Sequence, residues 1–250
     1  MRQLAARIKP ANGFSQAAHW LLLISLPFLI FVLARLSFVQ LAYAVILLSK
    51  WRMFAVRPRH WLAHIRANAV DIIVGMSVVT FMAHNAPSQA FQLVCAVSYG
   101  VWLLVIKPRS TAFWVAAQAM IGQLLGLIAV YEIWSKEPLI VLVVATWVIC
   151  YFSARHYLLA FEEPLTSLLS HTWGYFAAAL TWILGHYLLF YDFMAQPALV
   201  LTTLGYGLSV LYYLEKKDRL SIFIRREIVL LMCAIIFVII LLSNWGDKAV

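Results

Sequence analysis

Charge is what this chain has least of. Lys, Arg, Asp and Glu make up 12% of its 250 residues, about half the share of a soluble domain. That scarcity excludes an ordinary soluble domain with a solvated surface. Acid is scarcer than base, with ten Asp and Glu against nineteen Lys and Arg. Cysteine is scarce too. Cys95, Cys150 and Cys233 all fall in apolar runs, and no pair has redox or zinc spacing. Walker, zincin and Gly-x-Ser-x-Gly signatures are absent. No low-complexity segment or flexible linker interrupts the chain.

What is present is hydrocarbon. Hydrophobic residues make up 64% of the chain and the mean hydropathy is +0.89. Apolar stretches of bilayer length recur from Trp20 to Trp245. Inside a bilayer only helices and closed barrels satisfy the backbone, and these runs are too continuous for alternating barrel strands. The sequence therefore predicts an all-α fold: a polytopic transmembrane helical bundle in the cell membrane, one integral domain over 1–250.

The apolar runs divide into nine spans, at about 14–33, 37–53, 67–82, 89–106, 111–131, 138–154, 168–191, 197–214 and 227–244. The first two are the hardest to separate. Arg35 sits between them, and a charge is far cheaper at a hairpin tip than at mid-bilayer. A tight turn is therefore expected at 34–37. The alternative is eight spans, with one long first helix. Arg2, Arg7 and Lys9 before an apolar run also resemble a signal peptide, with 32–34 as a weak cleavage site. An uncleaved first span is the preferred reading. With the N-terminus cytoplasmic and the C-terminus outside, sixteen Lys and Arg fall on the inner side, and only Arg35, Lys136 and Lys248 on the outer.

The +9 charge lies in short interhelical loops, so it reads as topology and lipid contact and not as a nucleic-acid footprint. Two basic stretches, 50–66 (from Lys50 to Arg66) and 216–226 (from Lys216 to Arg226), suit anionic headgroups or an acidic cytoplasmic partner, and a membrane-protein partner is a further expectation. Arg57-Pro58-Arg59 and Lys107-Pro108-Arg109 stand 50 residues apart. Ala67-Asn68-Ala69 and Ala117-Gln118-Ala119 follow them in register. This outlines a weak two-helix repeat, 58–106 against 108–156, although loop and span composition alone also produces such a match.

The polar residues of interest gather toward the inner face. Asp71 is expected about one turn inside the interface, on a continuous helix from Pro58 to about His84, sharing a face with Asn68 and Gly75. A carboxylate there serves either as a proton or cation site or as half of a structural ion pair, and Arg155 and His156 are the expected partners. Arg155 and Glu162, like His156 and Glu163, are seven apart and predicted on one helical face. His171 follows in the next span. Together Asp71, Asn68, Arg155, His156, Glu162 and His171 form the candidate polar site. Glu162-Glu163 invites comparison with CAAX-type proteases, but Ser167 stands where that pattern wants Arg, so no activity is carried over. His171 and His186 have a two-haem spacing that histidine-rich bundles also produce by chance, and no cofactor or metal is assigned. Gln118, Gly122 and Gly126, and likewise Ser170, Gly174 and Ala178, are spaced as close-packing seams.

The stretch Ser49-Lys50-Trp51-Arg52-Met53-Phe54-Ala55-Val56-Arg57-Pro58-Arg59-His60-Trp61, with Ala67-Asn68-Ala69-Val70-Asp71, resembles uncharacterised multi-pass membrane proteins of reduced-genome candidate-phylum bacteria. The resemblance covers only this small part and implies no activity. The leading functional expectation is a small-solute or ion transporter. A non-catalytic membrane subunit or assembly factor stands beside it, and an interfacial lipid-processing enzyme behind both.

Overall fold

A computed structural model describes residues 13–50, 60–135, 137–185, 190–191 and 194–243. Among these the chain forms nine α-helices: α1 Gly13–Arg35, α2 Val39–Leu48, α3 Trp61–His84, α4 Gln89–Val101, α5 Ala112–Ile133, α6 Leu139–Ala160, α7 Thr166–Leu184, α8 Gln196–Lys216 and α9 Ile222–Leu242. The last turn of α4 widens into a π-helical segment, Trp102–Ile106. The only strands described are Phe190–Tyr191 and Met194–Ala195, paired antiparallel ahead of α8. Arg2, Arg7, Lys9, Trp51, Arg57-Pro58-Arg59, Lys136, His186 and residues 244–250 lie outside the described residues.

Among the described residues, five helical stretches are long and apolar enough to cross a membrane: Trp61–His84, Gln89–Ile106, Ala112–Ile133, Leu139–Ala160 and Gln196–Lys216. Helix α7 is diluted by Ser167, Ser170, His171 and Thr172, and α9 carries Arg225, Arg226 and Glu227 in its first turns. Of the expected second span, 37–53, the described residues show a short helix, and 51–53 lie outside them. Helix α2 has only 10 residues, about 15 Å of rise, half the ~30 Å of a hydrocarbon core. It ends because Ser49 turns its hydroxyl back onto the Ile46 carbonyl (2.6 Å), and Lys50 leaves the helix to seek a carboxylate.

Three helix exits share one hydrogen-bond pattern. After α1, Phe38 N–H reaches Leu33 O (2.9 Å) and Ser37 N–H reaches Ala34 O (3.1 Å). After α6, Glu163 N–H reaches Leu158 O and Glu162 N–H reaches Leu159 O; after α8, Arg219 N–H reaches Leu214 O and Asp218 N–H reaches Glu215 O. These are Schellman closures, which favour glycine at the left-handed position. Here that position holds Ser37, Glu162 and Asp218, with φ of 63°, 55° and 53°. The Ser37 turn is the expected tight hairpin, and Arg35 at its tip donates to Ala86 O (3.1 Å).

That contact, with the His84–Glu132 pair (3.3 Å), gathers the α1–α2, α3–α4 and α5–α6 turns at one end of the bundle. The opposite end holds the Lys50, Lys107 and Lys216 contacts. Among the described residues every Lys and Arg except Arg35 belongs to this second, basic end.

Burial divides into two apolar cores. One joins α1 to α4 around Ile30, Ile46, Val74, Met82, Tyr99 and Leu103. The other joins α5 to α8 around Leu127, Tyr131, Leu142, Cys150, Ala177 and Leu201. Helices α3 and α5 press the two together along the predicted seam. A Cβ on Gly122 would stand 2.8 Å from Val70 Cγ1, and one on Gly126 2.7 Å from Ile73 Cγ2. Only glycine permits that approach. Helix α9 leans on α8 and leaves most of its apolar residues exposed.

Candidate functional site

Asp71 lies ten residues into α3, which runs unbroken from Trp61 to His84 as expected; Pro58 and Arg59, at the expected start of that helix, lie outside the described residues. Its partners differ from those expected. Lys50 Nζ stands 3.2 Å from Asp71 Oδ2, and Lys107 Nζ closes on the same oxygen. The indole N–H of Trp102 donates to Oδ1 at 3.2 Å. One carboxylate thus sits between two ammonium groups and an indole, on side chains 8% (Lys50), 12% (Asp71) and 33% (Lys107) exposed.

The π-helical turn makes this arrangement possible. Positions five apart on an α-helix point about 140° away from each other. Here Lys107 N–H bonds Trp102 O (2.8 Å), five residues back, so the two residues come onto one face and both reach Asp71. Such turns often mark functional positions. The Tyr99 hydroxyl, one turn before Trp102, is buried without a hydrogen-bond partner. It would lie 3.0 Å from a Cβ on Gly75, which places it on the Asp71 face of α3.

A second polar chain adjoins the first. Gln118 donates to Ile106 O (2.7 Å) and Arg109 O (2.9 Å), capping the widened end of α4. Its Oε1 lies 3.3 Å from His156 Nε2. Arg109 stacks on the Trp114 ring, 4.0 Å from its centroid. His156 thus belongs to the site, through Gln118 and not through the carboxylate. The paired amides of the predicted repeat have different roles, since Asn68 only bonds back to His64 O in its own helix (2.9 Å).

The remaining candidates are not gathered at Asp71. Arg155 makes no ion pair with Asp71, and its Nε is buried without a partner. The predicted seven-residue alignments of Arg155 with Glu162 and of His156 with Glu163 fail. Helix α6 ends at Ala160, and the left-handed turn at Glu162 carries both glutamates off its axis. Pro164 reinforces that exit, because the residue before proline avoids the helical region. Glu163 instead accepts from the Tyr212 hydroxyl and pairs with Lys216 (3.3 Å). Chiefly the Tyr212 hydrogen bond, helped by Leu165 N–H and Lys216, holds its carboxyl below the usual range. His171 lies in a ring cluster with Tyr151 (4.6 Å between centroids), Trp147 and Tyr175.

Lys50, Lys107 and Trp102 were not among the sequence candidates. Lys50 and Lys107 read as loop cations, and Trp102 as one more apolar residue of a span. The available signal was numerical, since a single carboxylate in an apolar run with so many nearby cations calls for one of them as partner. Among the described residues no group of three His, Cys, Asp or Glu is arranged to hold a metal.

A separate cavity of about 860 Å³ lies between α2, α3, α5 and α6, lined among others by Tyr43, Ile73, Thr80, Ala129, Trp134 and Val144. None of the charged cluster lines it. Compared with family models, with curated proteins and with solved structures, the chain matches none.

Proposed function

We propose that this chain is a multi-pass membrane protein of nine spans, basic end in the cytoplasm, acting as a non-catalytic membrane subunit or assembly factor. One observation carries the reading: the polar cluster and the cavity are separate. Both Asp71 oxygens are engaged by Lys50, Lys107 and Trp102. The cavity is walled by apolar side chains and three hydroxyl-bearing residues. A polar solute crossing the bilayer needs a continuous polar path, and this cavity does not supply one. Acid–base chemistry needs a base within hydrogen-bond reach of a substrate's proton, in a cleft. Glu163, engaged by Tyr212 and Lys216, and His171, packed in its ring cluster, do not meet that requirement.

The charge distribution supports the orientation. The described cations crowd one end, and a positive end is retained in the cytoplasm. Helix α2 then serves as the described part of the second crossing.

A small-solute or ion permease is the second reading, favoured by the charge count of the triad. Two lysines face one carboxylate, leaving a net positive site beside a π-helical turn. Purified protein in proteoliposomes, assayed for proton and ion flux, separates the two. The subunit reading expects flux no greater than in empty vesicles. Flux above that level, abolished by Asp71→Asn in a folded, inserted protein, would replace it with the permease. Reporter fusions at both termini test the topology, and both on one side would rule out nine spans.

A further inference from the structure

The cavity is built by three helical stripes. On α3 it takes Ile73, Met76, Ser77 and Thr80; on α5, Gly126, Ala129, Val130 and Ile133; on α6, Val141, Val144, Ala145 and Val148. Each set follows the i, i+3, i+4, i+7 spacing of one helix face. Three faces thus converge on a space that none of them fills. Small residues (Gly126, Ala129, Ala145) form part of the wall and keep it open. Ile140 and Val144 on its rim are 56% and 52% exposed, so the cavity opens sideways at α6.

Its three hydroxyls are already engaged. Tyr43 Oη and Thr80 Oγ1 share a hydrogen bond of 2.8 Å, and Ser77 Oγ donates to Ile73 O at 2.7 Å. Apart from the Trp134 indole at its mouth, a ligand here is held by apolar contact. The volume suits a small apolar ligand, within the roughly 300–1,000 Å³ of such sites.

We infer that this groove seats the hydrocarbon tails of a bilayer lipid, with the headgroup toward the Trp134 end. This rests on the membrane reading proposed above. Depth supports it: the α3 stripe lies between Asp71 and His84 of the His84–Glu132 pair, which on the membrane reading is the hydrocarbon zone. Size argues against a partner helix. The α3 stripe runs from Ile73 to Thr80, a rise of about 10 Å, a third of what a spanning helix traverses. Helix pairing in a bilayer also uses interhelical hydrogen bonds, and these hydroxyls have none to offer. Trp134 at the mouth suits the headgroup boundary, where tryptophan concentrates.

The test uses the full chain in phosphatidylcholine–phosphatidylglycerol vesicles with a trace of phospholipid carrying a photoactivatable diazirine on its acyl chain. After irradiation, labelled peptides are mapped by mass spectrometry. The expected result is label on 73–80, 126–134 and 140–149 several-fold above that on the exposed α9 face. Groove label should saturate and be displaced by unlabelled lipid. Ala145→Phe, which fills the groove, should cut groove label at least fivefold and leave α9 label unchanged. Groove label no higher than that of α9, or not displaceable, overturns the inference. If Ala145→Phe does not fold, the displacement measurement on the unaltered protein decides alone. Carbonate extraction separates the two failures. A chain released from membranes defeats the membrane reading, whereas a retained chain with an unlabelled groove defeats only the inference.

Discussion

The two halves of the bundle are held together by different chemistries. In the α1–α4 half the neutral Tyr43–Thr80 and Gln92–Met82 O bonds are joined by an ionic contact, with Lys50 and Lys107 on Asp71. In the α5–α8 half the buried polar contacts are neutral. Tyr131 Oη lies 2.8 Å from Thr181 Oγ1 and 3.1 Å from Thr146 Oγ1, joining α5, α6 and α7. Gln123 donates to Leu201 O (3.1 Å) and accepts from the Trp173 indole (3.2 Å), joining α5 to α8 and α7. The difference shows where specificity is expensive. Losing one partner of a buried ionic contact strands a charge, at about 3–5 kcal/mol. Losing one neutral hydrogen bond between membrane helices costs about 0.6 kcal/mol on average and up to ~1.7. The ionic half is therefore intolerant of single changes, and the neutral half degrades gradually.

Asp71→Asn is the sharpest way to break that contrast. It leaves two ammonium groups facing each other and should lower stability by about 3–5 kcal/mol, read by thermal or denaturant unfolding in detergent. Lys107→Met should cost less, because Lys107 is a third exposed and Lys50 stays on the carboxylate. An Asp71→Asn loss no larger than that of Tyr131→Phe would erase the distinction between the halves.

Tyr131→Phe probes the neutral half. Thr146 and Thr181 lose a shared partner, but Thr181 keeps its bond to Ala177 O (2.8 Å). The expected loss is about 1 kcal/mol, measured in the same unfolding assay. A loss of several kcal/mol would mean the hydroxyl cluster acts as a single cooperative unit.

The smallest effect has the opposite sign. Glu162 holds a left-handed φ that favours glycine, so Glu162→Gly should raise stability by about 1 kcal/mol. A lower melting temperature would show that its carboxylate has a role outweighing the strain.

Some of this was legible in the residues. Arg35 between two apolar runs called for a turn, and the chain turns at Ser37. Gly122 and Gly126, four apart on α5, called for a close approach, and α3 makes it. Asp71 called for a cation. Which cation was not legible, because Lys50 is 21 residues away and Lys107 is 36, and both look like ordinary loop charges. The π-helical turn that aligns Lys107 with Trp102 has no sequence signature in an apolar run. The exit of Glu162 and Glu163 from α6 was missed because the seven-residue spacing assumes a helix that continues, and the turn before Pro164 stops it.

By itself the sequence determined an all-helical chain of apolar stretches, its breaks and its basic bias. These follow from local terms: backbone groups that must pair within their own segment, side chains that repeat every 3.6 residues, and charges that avoid hydrocarbon. Only the tertiary structure decided which lysines lock Asp71, how Gln118 links α4 to His156, and where three helix faces leave a groove. Those outcomes depend on how closely helices distant in sequence approach, and that distance is set by the packing of all of them at once.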